Sequence, residues 1–520
     1  MTTFDAPQPD YNEILALHGK WQAGKPALIQ GARTRSWGEF DAALNRVANG
    51  LLGLGLAHGD RVAVVMDNSI EMLEAMFAIL RAGGVIVPLN LSVTPEGMAA
   101  MLRDSAVSAI FADAALVERV DAVCRELGSL LPGGRIAHGE AADGWTGYAG
   151  WRDTQSPDNP GIRVAPDDLF NIIYSSGTTG LPKGIAHAHA RRTAFARDMA
   201  ISLRLDTQAR TLVTIGLYSN ISMTSAIVTF LTGGTVCILD RFDPAAVVQA
   251  IEEQRISHVL MVPIQFQMIW DQPGFGERDL SSLRCVLSVG SPLYSDLKRR
   301  IIDRLGPILI EAYGLTEGPL TIIDGEDCAR LLGSVGKPIL GTDIRIIDDR
   351  GREVPPGQDG EIVGRGPHTM PFYYNNEAAT AETVWTCAQG RMWLRTGDLG
   401  RLDEDGFLYI VGRLKDMILS GGQNIYPSDI ETVLITHPEV NDCAVIGIAH
   451  EKWGETPFAV VVPEPGTSPD PESLREWVND RVGKRQRIAG LAFQDVLPRN
   501  ANGKVLKREL REIYGGKGAV

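Results

Sequence analysis

Short apolar runs alternate with amphipathic stretches along most of this 520-residue chain. Arg61-Val62-Ala63-Val64-Val65-Met66 is a β-branched run that reads as a buried strand. Ser69 to Ala82 carries Met72, Ala75, Met76 and Ile79 at helical spacing, Gly83-Gly84 stops it, and Val85-Ile86-Val87-Pro88-Leu89 is a second strand. Similar units recur at Thr211–Ile215, at Thr235–Leu239, in a helix over Pro244–Gln254, at His258–Val262 and at Cys285–Gly290. Such alternation predicts an α/β fold with parallel sheets. The pattern changes near residue 338: 340–366 is rich in short strands and turns, with Asp348-Asp349-Arg350-Gly351 and Pro355-Pro356-Gly357. It changes again near Gly412. Beyond that point the chain reads strand, helix, strand, strand, helix, with Asp429–Thr436 and Pro471–Val482 helical, enough for a separate α+β domain. The expected organisation is a large N-terminal domain over 1–412 made of several subdomains, β-rich over about 340–411, and a C-terminal domain over 416–520. Tyr514 onward reads as a frayed tail.

Apolar residues at 44% and charged residues at 22% are those of an ordinary globular protein. A formal net charge of -14 argues against a nucleic-acid partner, which needs a basic face. No apolar run reaches the length of a membrane span. The N-terminus, Met1-Thr2-Thr3-Phe4-Asp5, lacks a basic stretch followed by an apolar one, so a cytoplasmic protein is expected. Six scattered cysteines without a Cys-x-x-Cys pair suit neither a disulfide framework nor zinc. His187-Ala-His189 has no third ligand nearby. Gly53-x-Gly55-x-x-x-Gly59 fails the spacing of a dinucleotide fingerprint, precedes a strand rather than following one, and reads as the turn after a helix.

The densest chemical signal is Tyr174-Ser175-Ser176-Gly177-Thr178-Thr179-Gly180-Leu181-Pro182-Lys183-Gly184. Glycines let a backbone present N–H groups at close range, and hydroxyls and a lysine add donors, a combination suited to a polyphosphate. The spacing is not that of a Walker A loop. Four further strings follow in order: Glu311-Ala312-Tyr313-Gly314-Leu315-Thr316-Glu317; Arg395-Thr396-Gly397-Asp398-Leu399; Gly412-Arg413-Leu414-Lys415-Asp416, running on to Ser420-Gly421-Gly422-Gln423-Asn424; and Pro498-Arg499-Asn500-Ala501-Asn502-Gly503-Lys504. Together the five resemble the adenylate-forming superfamily of acyl-CoA synthetases, peptide-synthetase adenylation domains and luciferases, and the resemblance covers nearly the whole chain.

The resemblance implies a carboxylic acid reacting with ATP to give acyl-AMP and pyrophosphate, then with coenzyme A to give a thioester and AMP. It implies Ser175, Ser176, Gly177, Thr178, Thr179, Gly180 and Lys183 over the phosphates, Glu317 as the Mg²⁺ acid and Thr316 at the α-phosphate. Glu311, Ala312, Tyr313 and Gly314 would flank adenine on one side and Gly290, Ser291 and Pro292 on the other. Asp398 would accept from both ribose hydroxyls, Arg413 would touch the nucleotide with Asn424 in its neighbourhood, and Lys504 would bridge carboxylate and α-phosphate. Residues 413–415, with Lys415 at the centre, would form the hinge on which a mobile C-terminal domain turns between half-reactions, presenting Gly421-Gly422 to the pantetheine arm. Tyr218, Ser219 and Leu320 would line the acyl pocket. Many relatives carry His after the aromatic, where this chain has Ser219, so a contact made by that His does not carry over; and Ala312 stands where aryl-acid ligases often have Gly. The walls Ile221, Met223, Leu320 and Ile322 carry no cation for a second carboxylate, favouring a hydrophobic monocarboxylate, aryl or medium-chain. The setting of Lys504 also resembles that of a lysine acetylated in related bacterial synthetases, implying a lysine acetyltransferase and deacetylase as partners. A homodimer is compatible with the sequence. Competing expectations are an acid–AMP ligase that loads a carrier protein and a catalytically silent nucleotide-binding protein; the joint presence of Thr316, Glu317 and Lys504 speaks against the second.

Overall fold

Unbroken apolar strands are those whose two faces are both covered. In strand Arg61–Val65, Val62 and Val64 point into one core while Ala63 and Val65 point into another. In strand Cys285–Val289, Cys285 and Leu287 face that first core and Val286 a third. The first core is therefore the filling between two sheets. The computed structural model describes residues 9–124, 127–140, 143–175, 182–420, 423–500 and 503–515, and among these four sheets form.

One sheet has seven strands, in spatial order Thr146–Gly147, Arg135–His138, Ala109–Asp113, Arg61–Val65, Val85–Pro88, Leu169–Ser175 and Lys183–Ala188. Its pairings are parallel except the last, an antiparallel hairpin. The second has nine strands: Lys337–Pro338, Leu320–Ile323, Leu309–Gly314, Cys285–Val289, His258–Met261, Arg210–Val213, Thr235–Ile238, Pro26–Gln30 and Arg33–Ser36. It is parallel from Leu309–Gly314 to Pro26–Gln30 and antiparallel at both edges. Helix Ile70–Arg81 lies between the two sheets, buried at every position, with Ser69 capping it by accepting from the Met72 N–H at 3.1 Å. Its interior Glu74 is satisfied by Arg152 at 2.9 Å, Arg35 at 3.4 Å and the Tyr148 hydroxyl at 2.8 Å, which makes a buried charge tolerable. Helices Tyr11–Trp21, Trp37–Gly53 and Asn220–Leu231 complete this layer. After Trp37–Gly53 the chain turns at Gly55 and Gly59, both in the left-handed region (φ +92° and +78°), and enters strand Arg61–Val65.

The third sheet is antiparallel: Asp343–Ile347, Gly360–Arg365, Met392–Leu402 and Val384–Thr386, with Leu408–Arg413 also paired to Met392–Leu402. The fourth comprises Gln423–Ile425, Ile418–Ser420, Gly454–Pro463 and Val440–His450, with Gly490–Phe493 parallel to Gly454–Pro463. Two small cores, around Val445 and around Ile446, face opposite sides of that sheet. This last region is richer than the expected strand–helix–strand–strand–helix. Two short strands precede helix Pro427–Leu434, which starts two residues earlier than expected because Pro427 suits a first helical turn. Helix Pro471–Asn479 stops three residues early, since the Asn479 side chain turns away to bond the backbone of Ile488 in both directions. No helix among the described residues is long and apolar enough to cross a membrane.

Candidate active site

The site is built where strand ends of three sheets meet the last loop of the fourth. Asp398 and Arg413 sit opposite each other in the antiparallel pair Met392–Leu402 and Leu408–Arg413, so their side chains emerge on one face. The almost fully buried Asp398 carboxylate takes the Arg413 Nε at 3.2 Å on one oxygen and the Tyr313 hydroxyl at 2.8 Å on the other. Its own N–H donates to the Thr396 hydroxyl at 3.0 Å across the turn at Gly397 (φ +70°). Both oxygens that the sequence reserved for ribose thus already have protein partners. Burial, reinforced by the Asp398 charge, drives the Tyr313 phenol well above its ordinary pKa, so it stays a donor. Thr396, Gly397, Asp398, Arg413, Leu414 and Lys415 line a cavity of about 370 Å³.

Lys504 reaches this cluster from the far end of the chain. A turn closes from Asn500 to Lys504: the Lys504 N–H donates to the Asn500 side chain at 3.0 Å, the Asn500 N–H to the Lys504 carbonyl at 2.9 Å, and Gly503 adopts φ +75°. The turn is seated on Val262 and Ile264, whose methyls lie 3.4 Å and 3.3 Å from where a Cβ on Gly503 would stand. The half-buried Lys504 ammonium lies among Arg413, Lys415, Asp398 and Asp416. Burial pushes its pKa down to about 7; Arg413 and Lys415 add to the fall, and Asp398 and Asp416 oppose it. Val262 also touches the opposite loop: a Cβ on Gly290 (φ +97°) would meet Val262 and Ile221 at 3.3 Å. One valine therefore places Gly290, Ser291 and Pro292 beside the lysine turn, with Ile221 at the same corner.

Strand Leu309–Gly314 supplies the floor. Tyr313 faces Asp398, whereas Ala312 is buried opposite Ile322, and Gly314 lies against Leu320, whose Cδ1 would be 2.6 Å from an added Cβ. Glu311 does not face the cavity. It is buried in an ion pair with Lys298, itself buried, and accepts the Leu293 N–H at 3.4 Å, bracing the end of the 290–292 loop from behind. Its carboxylate is an interior support of that loop. Thr316 and Glu317 lie in the connection from Leu309–Gly314 to Leu320–Ile323; the ring of buried His187 lies near the Thr316 backbone, and the Tyr373 hydroxyl donates to Glu317 Oε1 at 2.9 Å. His187 and His189 are both buried, and no group of three or more metal-ligating side chains occurs among the described residues.

Ser175 and Lys183 face each other in the hairpin register at the mouth of the glycine-rich loop. Ser176, Gly177, Thr178, Thr179 and Gly180 lie outside the described residues, as do Gly421 and Gly422. Asn424 is exposed on the hairpin Ile418–Ser420/Gln423–Ile425 and interacts with Tyr426; the structure does not join it to the Asp398 cluster. Lys415 occupies the single 3₁₀ turn Leu414–Asp416 that links the third sheet to the fourth. The half-buried Tyr218 ring lies across Gly216, where an added Cβ would stand 2.1 Å from it, and Ser219 is a buried N-cap accepting from the Ile221 N–H at 3.3 Å. Ile221, Met223, Leu320 and Ile322 all belong to the core between the sheets. Sequence reasoning missed Val262, Lys298 and Tyr373. None has a local signal, because each acts through a partner far away in the chain.

The family model described as AMP-binding enzyme matches residues 17–374, and that described as AMP-binding enzyme C-terminal domain matches 429–504. A feruloyl-CoA synthase from Amycolatopsis sp is 36% identical over 492 residues, 94% of this chain and 96% of that protein. An indoleacetate–CoA ligase from Aromatoleum aromaticum is 33% identical over 514 residues, 98% and 99% of the two chains. The ATP-bound structure of MatB from Rhodopseudomonas palustris superposes with a TM-score of 0.88 at 29% identity, covering 98% of this chain and 100% of that one.

Proposed function

The chain belongs to the AMP-binding enzyme family and is an AMP-forming acid–CoA ligase that uses ATP and coenzyme A, and on that premise we propose how this site works and what acid it takes. The acid is a hydrophobic monocarboxylate, aryl or medium-chain. The observation that carries the mechanism is the Lys504 turn seated on Val262 and Ile264, which brings a cation from residue 504 to Asp398 and Arg413.

Attack of a carboxylate on the α-phosphorus brings anion to anion, so catalysis is positioning and charge neutralisation. Lys504 meets both the carboxylate and the α-phosphate oxygens in this docked arrangement, with Thr316 beside them. Ser175 and Lys183, with residues 176–180 between them, take the β- and γ-phosphates. Glu317 suits Mg²⁺: one oxygen is held by Tyr373, and the other has no partner among the described residues, leaving a hard anionic ligand free. A bound Mg²⁺ would neutralise phosphate charge there. Arg413 and Tyr313 hold Asp398, and exchange partners with the ribose hydroxyls when nucleotide enters.

The N-terminal domain is 1–412 and the C-terminal domain 416–520, hinged at 413–415. Rotation about Lys415 withdraws Lys504 after adenylation and brings Gly421-Gly422 to the acyl-AMP. The C-terminal domain also carries an exposed Trp453 with Lys452 and Arg485 over its ring at 4.7 Å and 5.4 Å, a surface for an adenine and its phosphates. It favours coenzyme A over a carrier protein as acceptor, although a carrier-loading relative, the fatty acid–[acyl-carrier-protein] ligase ScoC of Streptomyces coeruleorubidus, is 33% identical over 519 residues. Acetylation of Lys504 would remove its charge and block adenylation; full activity at high Lys504 acetyl occupancy in mass spectrometry would refute that. The test of the whole reading is ATP–pyrophosphate exchange with benzoates, cinnamates and C2–C16 acids, followed by mass detection of the thioester. Exchange with no acid of this panel, or a thioester on a carrier protein but not on coenzyme A, overturns it.

A further inference from the structure

Glu317 and Lys183 belong to different sheets. Glu317 lies in the connection before strand Leu320–Ile323, second from the edge of the nine-stranded sheet, and Lys183 opens the edge strand Lys183–Ala188 of the seven-stranded sheet. Both touch Tyr373. The Tyr373 hydroxyl donates to Glu317 Oε1 at 2.9 Å, and the Lys183 ammonium lies 5.1 Å from the centre of its ring. The segment carrying Tyr373 is fastened to both sheets through its backbone. The Met370 N–H donates to the Glu317 carbonyl at 2.7 Å, the Tyr374 N–H to the Gly184 carbonyl at 2.7 Å, and Tyr373 forms a β-bridge with Ile185. Ile185, Met370, Ala379 and Leu394 pack around the ring, which is 7% exposed.

We infer that Tyr373 is a positioning residue for adenylation: its phenol fixes one oxygen of Glu317 so that the other faces the metal–nucleotide, and its ring sets Lys183 at the same distance from that metal in every turnover. The inference rests on the proposed role of Glu317 as the metal acid. A glutamate on a connection has three rotatable side-chain bonds, and a metal acid performs only when its free oxygen is aimed. A neutral donor on the other oxygen aims it without cancelling its charge. A tyrosine that served only as packing would need no hydroxyl against a carboxylate.

The test uses Tyr373→Phe, which keeps the ring, the packing and the Lys183 contact and removes only the donor. Expected are an Mn²⁺ dissociation constant, read by paramagnetic resonance with a non-hydrolysable ATP analogue, raised about 10-fold or more, as for other residues that orient metal ligands, and a parallel rise in the Mg²⁺ concentration that half-saturates ATP–pyrophosphate exchange. The thermal midpoint and thioester formation from supplied acyl-AMP stay as in the parent. Tyr373→Leu adds a rise in KM for ATP through Lys183. Glu317→Gln separates the two claims. If it leaves Mn²⁺ affinity unchanged, Glu317 is not the metal acid and the inference falls with that reading. If it weakens Mn²⁺ while Tyr373→Phe does not, the inference alone falls. A Tyr373→Phe protein that loses both half-reactions together with thermal stability makes Tyr373 a structural brace and also overturns it.

Discussion

Burial among Arg413 and Lys415 lowers the Lys504 pKa to about 7, which gives adenylation a measurable pH signature. In the proposed mechanism the lysine must be charged to bridge two anionic oxygens. Below pH 7 it is protonated, and the charge is lost as pH rises. About half of the free enzyme is competent at pH 7 and about 1% at pH 9, so kcat/KM for acid in ATP–pyrophosphate exchange should fall about 50-fold over that interval, tenfold per unit at the upper end. Bound ATP adds negative charge beside the ammonium and raises its pKa, so the limb should be strong in kcat/KM and displaced upward in kcat. Lys504→Arg keeps a charge that does not titrate there, and should flatten the limb at reduced activity. Lys504→Ala should lose exchange about 10²–10³-fold or more while sparing thioester formation from supplied acyl-AMP. A kcat/KM plateau to pH 9, an Arg variant with an unchanged limb, or equal losses in both half-reactions would refute the reasoning.

Lys415→Pro should preserve exchange and depress thioester formation, because a 3₁₀ turn has a φ close to that of proline and the substitution locks the arrangement seen here; unchanged overall turnover would remove Lys415 from the hinge. Tyr218→Ala should weaken discrimination among acids differing in size, where each methylene is worth about 1–3 kcal/mol, and Ser219→His should exclude bulky acids and also cost about 1 kcal/mol of stability through the lost cap; kcat/KM across aryl and aliphatic series that keeps the parent ranking in both variants would take this loop out of the acyl site. Burial holds His189, His258 and His368 at a pKa of about 4, so each is neutral in the folded protein and charged when unfolded below pH 6.5; stability should be full above pH 6.5 and fall by about 1.4 kcal/mol per unit per histidine toward pH 4, and denaturation midpoints that stay flat over that window would contradict it.

Strands such as Arg61–Val65 and helix Ile70–Arg81 were legible because burial on both sides writes itself into local composition. The turns at Gly55 and Gly59 were legible too, because a positive φ needs glycine. Pairings between distant segments leave no such trace. Strand Pro26–Gln30 joins Thr235–Ile238 across two hundred residues, and the half-exposed strand Gly490–Phe493 has no strong pattern of its own. Within the site, the strings named Asp398, Arg413, Tyr313 and Lys504, and the structure brings these four near one another. The same strings do not reveal that the Glu311 carboxylate pairs with buried Lys298, because a carboxylate in a motif looks alike whether it meets a ligand or an interior cation. They were silent on Tyr373, whose aromatic-rich surroundings read equally well as packing.

Transfer of ¹⁸O from a labelled carboxylic acid tests the central chemistry most directly. An accepted acid labelled in its carboxylate is incubated with ATP, Mg²⁺ and coenzyme A, and the nucleotide and thioester are read by mass spectrometry. Attack of the carboxylate on the α-phosphorus leaves one labelled oxygen in AMP for every thioester formed, with none in pyrophosphate. Label in inorganic phosphate with ADP as the nucleotide product, or thioester formed with unlabelled AMP, would contradict adenylation at this site.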